Sequence, residues 1–153
     1  MRPWIWLRVG AALQALGAVL HTIAATDSPS RGPAEQAVFA AMQSFRFPIA
    51  GVIRSHWDFY RGYQLCITVV FAVLAVLIWQ LSNLSRTAPT QAVPLILTIL
   101  VAEILLGAIG WEYFFVGPGG MSILIGACLI AALLGLRKKE QPALAASRAA
   151  KAG

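Results

Sequence analysis

Six polar side chains stand inside or at the edge of apolar runs: Gln14, His21, Asp58, Arg61, Gln64 and Glu103. Together they offer carboxyls, an imidazole, a guanidinium and amides, the groups needed to hold a polar headgroup or to move a proton. Glu103 is the sharpest case, with "LILTILVA" before it and "ILLGAIG" after it. An ionisable group in hydrocarbon costs roughly 2.5 to 3.5 kcal/mol on an insertion scale. A cation beside it would keep the carboxylate charged, whereas a desolvated carboxyl with no partner holds its proton.

Arg61 is the expected partner. In "HWDFYRGYQL", residues 56 to 65, Asp58 and Arg61 are three positions apart and meet across one helical turn. Arg61 is then expected to reach inward toward Glu103 and His21 with its stem in apolar surroundings. The alternatives are capping or ion pairing for Asp58, a structural ion pair or a protonated bystander for Glu103, and simple hydration for His21. Trp57, Tyr60, Tyr63 and Trp111, joined by Phe59, form an expected aromatic wall around the apolar body of a ligand. His56 and Glu112 belong to the headgroup region.

The elements that must position these groups follow from composition. The chain has 153 residues, 59% hydrophobic and 12% charged. A soluble domain carries about 25% charged residues. The apolar residues fall in blocks at 9–26, 59–81, 92–109 and 121–136, too long for amphipathic helices. A span of about 20 residues crosses the roughly 30 Å hydrocarbon layer, and flanking Trp, Arg and Lys reach the interface from shorter runs. The fold class is therefore all-α, an integral membrane four-helix bundle. Its spans are expected at 5–26, 57–81, 91–113 and 119–137, within one domain over 1–140 and ahead of a flexible tail at 141–153.

Spacing aligns the polar groups. Gly10, Gln14, Gly17 and His21 share a face of the first span, and Trp57, Arg61, Gln64 and Thr68 a face of the second. Glu103, Gly107 and Gly110 share one of the third, and Ser122 and Gly126 one of the fourth. Small residues allow close helix approach, and polar ones turn from lipid. At 1.5 Å per residue, His21 and Arg61 fall roughly 5 to 8 Å below the outer surface, and Gln14, Gln64 and Glu103 about 12 to 17 Å.

Between the first two spans, "DSPSRGP" has turn chemistry, and "AEQAVFAAMQSFRF" places Val38, Met42, Phe45 and Ile49 on one stripe. An outer amphipathic helix at about 33–46 is expected, ended by Pro48. "SNLSRTAPTQ" is expected as a polar turn between the second and third spans, and "VGPGG" as a tight turn between the third and fourth.

Charge sets direction. Arg2, Arg8, Arg86, Arg137, Lys138, Lys139, Arg148 and Lys151, against the single acid Glu140, belong to the termini and the second connection. The positive-inside rule puts both termini in the cytoplasm. A rival reading makes residues 1–25 a signal peptide, although Arg8 and His21 interrupt its pattern. The net charge of +6 flanks apolar runs and forms no aromatic-interleaved groove, so nucleic acid is not an expected partner. Cys66 and Cys128 make no C-x-x-C pair, and no metal or other cofactor is expected. Haem ligation by His21 and His56 is disfavoured by their place near the outer edge.

The short first span, the amphipathic stretch and then "FPIAGVIRSHWDFYRGY" opening the second span resemble a family of small bacterial four-helix membrane proteins without an established activity. A looser likeness, in size and topology only, is to the DoxX-like group. The resemblance implies the bacterial inner membrane and transfers no catalytic residues.

Three functions remain in competition. One is a polar pocket in the outer half of the bundle for a small amphipathic or lipid-like molecule, with Glu103 as acid or base if chemistry follows. Another is a non-catalytic subunit or scaffold, as a homodimer or beside other membrane proteins. The third is a small proton-linked exporter, although small multidrug exporters carry their glutamate in the first span and lack a long outer loop.

Overall fold

A computed structural model describes residues 2–26 and 30–152, with side chains through 138. Five helices and one hairpin follow in order: α1 Pro3–Thr26, α2 Pro33–Ser44, β1 Arg46–Ile49, β2 Val52–Ser55, α3 His56–Thr87, α4 Pro89–Tyr113 and α5 Val116–Ala152. Within the described residues α1, α3, α4 and the Val116–Lys138 part of α5 are long and apolar enough to cross a membrane. The protein is a multi-pass helical membrane protein. Its exposed valines, leucines and isoleucines, such as Val69, Val73, Val101 and Leu105, fit helix surfaces that meet acyl chains rather than water.

Several boundaries correct the sequence reading. The polar stretch after the second span is not a loop, because α3 continues to Thr87 and α4 begins at Pro89, leaving Ala88 alone between them. "VGPGG" is the first turn of α5 rather than a connection, and the break falls at Phe114 and Phe115. Proline is tolerated there because the first helical N–H groups have no intrahelical acceptor to lose. The backbone of α5 stays helical to Ala152, through residues expected to form a flexible tail. The "DSPSRGP" turn lies partly on 27–29, outside the described residues.

The segment after α2 brings a further correction. Pro48 does not merely end a helix; it lies in β1, paired with Ile53 in an antiparallel hairpin. A two-stranded sheet has only edges, so a residue without an N–H fits in it. Ala50 (φ 49°) and Gly51 (φ 82°) make the reversal, both in the left-handed region that a two-residue hairpin turn of this hand requires. Phe45 and Ile49 thus leave the predicted stripe for the cap and the hairpin, and Val38 is exposed. The ring of α2 that finds a partner is Phe39, with Trp57 at 5.1 Å.

The chain divides into two compact units. The first comprises 1–17 and 72–153, the second 18–71. The core of the first joins Leu7 and Ala11 of α1, Ile78 and Leu81 of α3, Ile96 and Ile99 of α4, and Ile125, Leu129 and Leu136 of α5. Glycines bring α4 against α5: a Cβ added at Gly110 would lie 3.1 Å from the Gly119 nitrogen, and one at Gly107 3.2 Å from Ser122 Cβ. Such backbone approach is how helices gain contact where lipid removes the hydrophobic drive between them. The second unit holds the end of α1, α2, the hairpin and the first half of α3.

Candidate functional site

The residues singled out by their chemistry divide between the units. Gln14 and Glu103 belong to the first, and His21, Asp58, Arg61 and Gln64 to the second.

In the second unit His21, Arg61 and Gln64 stitch α1 to α3. Arg61 Nη1 donates to the Ala25 carbonyl at the end of α1. His21 Nε2 lies 3.1 Å from the Gln64 carbonyl, and its ring meets Phe71 edge-on at 5.7 Å. Thr22 Oγ1, whose one proton goes to the Ala18 carbonyl at 2.7 Å, lies 3.2 Å from Thr68 Oγ1 and accepts from it. The Gln64 amide donates to the Tyr60 hydroxyl, also on α3, at 3.1 Å. The α1 helix leaves its last carbonyls without intrahelical donors, and Arg61 supplies one of the missing donors.

Asp58 does something different from the expected pairing with Arg61. Its Oδ2 accepts from the Ser55 backbone N–H at 2.8 Å and from the Ser55 hydroxyl at 3.0 Å, while Ser55 Oγ accepts from the Asp58 N–H at 3.2 Å. This is a reciprocal capping box, in which the residue before a helix and the residue three along satisfy each other's free backbone donors. The aspartate at the head of an apolar helix is there to start it, with Ser55 buried at the junction of β2 and α3. Arg46 and Arg54 of the hairpin are its electrostatic neighbours.

The aromatic residues form two arrays on α3 rather than one wall. Phe39, Trp57 and Tyr60 make the first, with centroids 5.1 and 5.4 Å apart. Phe45, Phe47, His56, Phe59 and Tyr63 make the second, where Phe47 and Phe59 stack at 5.9 Å and Phe59 meets Tyr63 at 6.3 Å. Trp111 joins neither. It lies in the first unit, largely exposed, and packs on Gly119.

Beside the second array a groove of about 280 Å³ opens along α3, lined by Arg54, Asp58, Phe59, Gly62, Tyr63 and Cys66. Asp58, Gly62 and Cys66 recur every fourth residue on one helical stripe, and Gly62 has open space where a side chain would stand. Tyr63 is 67% exposed. The reading from sequence missed Arg54, Gly62 and Cys66. The four-residue spacing of Asp58, Gly62 and Cys66 is visible there, but a guanidinium, a glycine and a thiol share no chemistry that would group them.

In the first unit Glu103 is 2% exposed, and its Oε1 has no hydrogen-bond partner among the described residues. The polar side chain beside the carboxyl is Ser122 of α5. Gln14 is also buried. A second groove in this unit, about 450 Å³, is walled mainly by Leu77, Leu81, Leu84 and Leu95. No cluster of three or more metal-ligating side chains occurs among the described residues.

No family model, curated protein or solved structure matches this chain.

Proposed function

We propose that this multi-pass membrane protein binds a small amphipathic, lipid-like molecule in the groove along the first turns of α3. The observation that carries the reading is the lining itself. Phe59 and Tyr63 offer apolar and aromatic surface, Gly62 leaves the floor open, and Arg54 stands at the mouth. Two guanidiniums, Arg46 and Arg54, neighbour the single Asp58 carboxylate, so the charge at this end of the groove is cationic on balance, which suits an anionic head on an apolar chain. Ligand sites usually span about 300 to 1,000 Å³, so this one suits a headgroup and the start of a chain rather than a whole lipid. With both termini cytoplasmic, as the distribution of Lys and Arg implies, the groove opens in the outer leaflet of the bacterial inner membrane. The site is read as binding rather than catalytic, since no acid–base pair or nucleophile with its activating base lines it.

The test is mass spectrometry of lipid that co-purifies with the full chain. Gly62→Leu fills the floor and Arg54→Gln removes the charge, and each is expected to lower the retained amphiphile while thermal unfolding stays at the wild-type temperature. Retention unchanged by both substitutions would reject the groove as the binding site.

A further inference from the structure

A different cluster, in the first unit, carries a second binding assignment that does not depend on the groove. The Arg8 guanidinium of α1 lies over two indoles, 5.0 Å from the Trp4 centroid and 4.9 Å from that of Trp79 on α3. Arg86, also on α3, lies 5.5 Å from the same Trp4 ring. Arg8 Nε donates at 3.3 Å to the hydroxyl of Ser82, which is fully buried. Two guanidiniums are thus held around one indole, the first fixed by a buried hydroxyl.

Each has N–H donors to spare. A guanidinium carries five in a planar fork, and the Ser82 bond uses one of those on Arg8. No carboxylate among the described side chains stands near them. Asp58 lies at the far end of α3, and Glu103 is about 20 Å along α4 from its start beside Arg86. Further positive charge gathers at this end: a Cβ added at Gly135 would lie 3.1 Å from Pro3 Cγ, so α5 brings Arg137 and Lys138 to the beginning of α1, where Arg2 stands. Cation–π contact offsets part of the repulsion between like charges, but it neutralises none of it. Indoles settle at the headgroup level of a bilayer, which puts both forks at the depth of lipid phosphates.

We infer that Trp4, Arg8, Trp79, Ser82 and Arg86 form a binding site for the phosphodiester headgroup of an anionic phospholipid. The arginine forks bind the phosphate oxygens and the indole rings flank the glycerol region. A free phosphate ion offers the same oxygens, and the choice of lipid rests on the membrane depth set by the two tryptophans.

The experiment presents the full chain in detergent with equimolar phosphatidylglycerol and phosphatidylcholine of identical acyl chains, and counts bound lipid by native mass spectrometry. It is run on the natural chain and on Gly62→Leu, so that lipid held in the α3 groove is counted separately. The expected result is a preference for phosphatidylglycerol in both. That preference falls about fivefold for each of Arg8→Gln and Arg86→Gln, from roughly 1 kcal/mol per basic residue near an anionic lipid. Arg137→Gln, an equal change in net charge at an exposed position of α5, is expected to fall less. Arg8→Lys keeps the charge, and the fold with it if Arg8→Gln fails to fold, and is expected to lose part of the preference because an ammonium cannot form the fork. No preference in the natural chain, an undiminished one in both Gln variants, or equal losses for Arg137→Gln and Arg8→Gln would overturn the assignment. So would displacement of phosphatidylglycerol by millimolar inorganic phosphate, which would make the ion itself the ligand.

Discussion

In the first unit one carboxyl, Glu103, is sealed among helices with an oxygen unbonded, whereas in the second His21, Thr22, Arg61 and Gln64 all have partners on a neighbouring helix or turn. The contrast extends to packing. The largest fully buried side chains of the first unit are mostly leucines and isoleucines from four helices, while α2 in the second buries no residue at all. One unit is held by close packing and the other by polar bonds and ring contacts. The lesson concerns where function can reside. Polar groups that complete helix ends, such as Asp58 and Arg61, are committed to structure, and what the second unit leaves open is the groove by Phe59, Gly62 and Tyr63.

The largest effect should come from breaking the packed unit. Leu129 is fully buried, and Leu129→Ala is expected to cost about 2 to 5 kcal/mol through lost contacts and the cavity left behind. Leu65→Ala, at an exposed position of the second unit, should cost far less. Thermal unfolding of the two variants in one detergent gives the comparison, and equal losses would erase the distinction between the units.

Glu103 should respond with the opposite sign. A buried polar atom without a partner costs about 1 to 3 kcal/mol, so Glu103→Leu is expected to raise the unfolding temperature, whereas Glu103→Gln keeps an orphan atom and gains little. A fall in stability for the leucine variant would mean that the bond to Ser122, or a partner beyond the described side chains, outweighs the cost of the orphan oxygen.

How much of this could be read in advance depends on the scale of the signal. Four spans follow from hydropathy alone, because long apolar blocks have few other uses. The hairpin escaped because Pro48 reads as a helix stop and Ala50-Gly51 lacks the Asn-Gly or Asp-Gly signature of such turns. The single-residue link at Ala88 escaped because "SNLS" is polar enough to resemble a loop, yet Ser82 and Ser85 are buried in α3. At the level of the site, the shared face of Arg61, Gln64 and Thr68 was visible as spacing, and the Ser55-x-x-Asp58 box was visible as a motif. The meeting of Arg8 with Trp79 was not, since it depends on which turns of α1 and α3 lie side by side.

The capping box gives a smaller and more local effect. Ser55→Ala removes the hydroxyl that both donates to Asp58 Oδ2 and accepts from its N–H, and should cost about 1 kcal/mol. Amide hydrogen exchange should quicken in the first turn of α3 and not in α4 or α5. Exchange that rises evenly along α3 would show that the box does not act as a local start to the helix.

The smallest expected effect tests whether the polar stitching of the second unit has the character described. Thr22 Oγ1 donates to the Ala18 carbonyl and lies 3.2 Å from Thr68 Oγ1 on α3. Hydrogen bonds between membrane helices average about 0.6 kcal/mol, since the separated helices find other partners. Thr22→Val should therefore cost about that much, and Thr68→Val the same, each leaving one hydroxyl without its mate. The double variant replaces both groups by apolar surface of matching shape, and removing both partners together is close to neutral. Its cost should fall below the sum of the singles, and unfolding in detergent measures all four corners of the cycle. Simple addition would mean that the two threonines act separately, with Thr22 serving its own helix through Ala18 and contributing nothing to the pairing of α1 with α3.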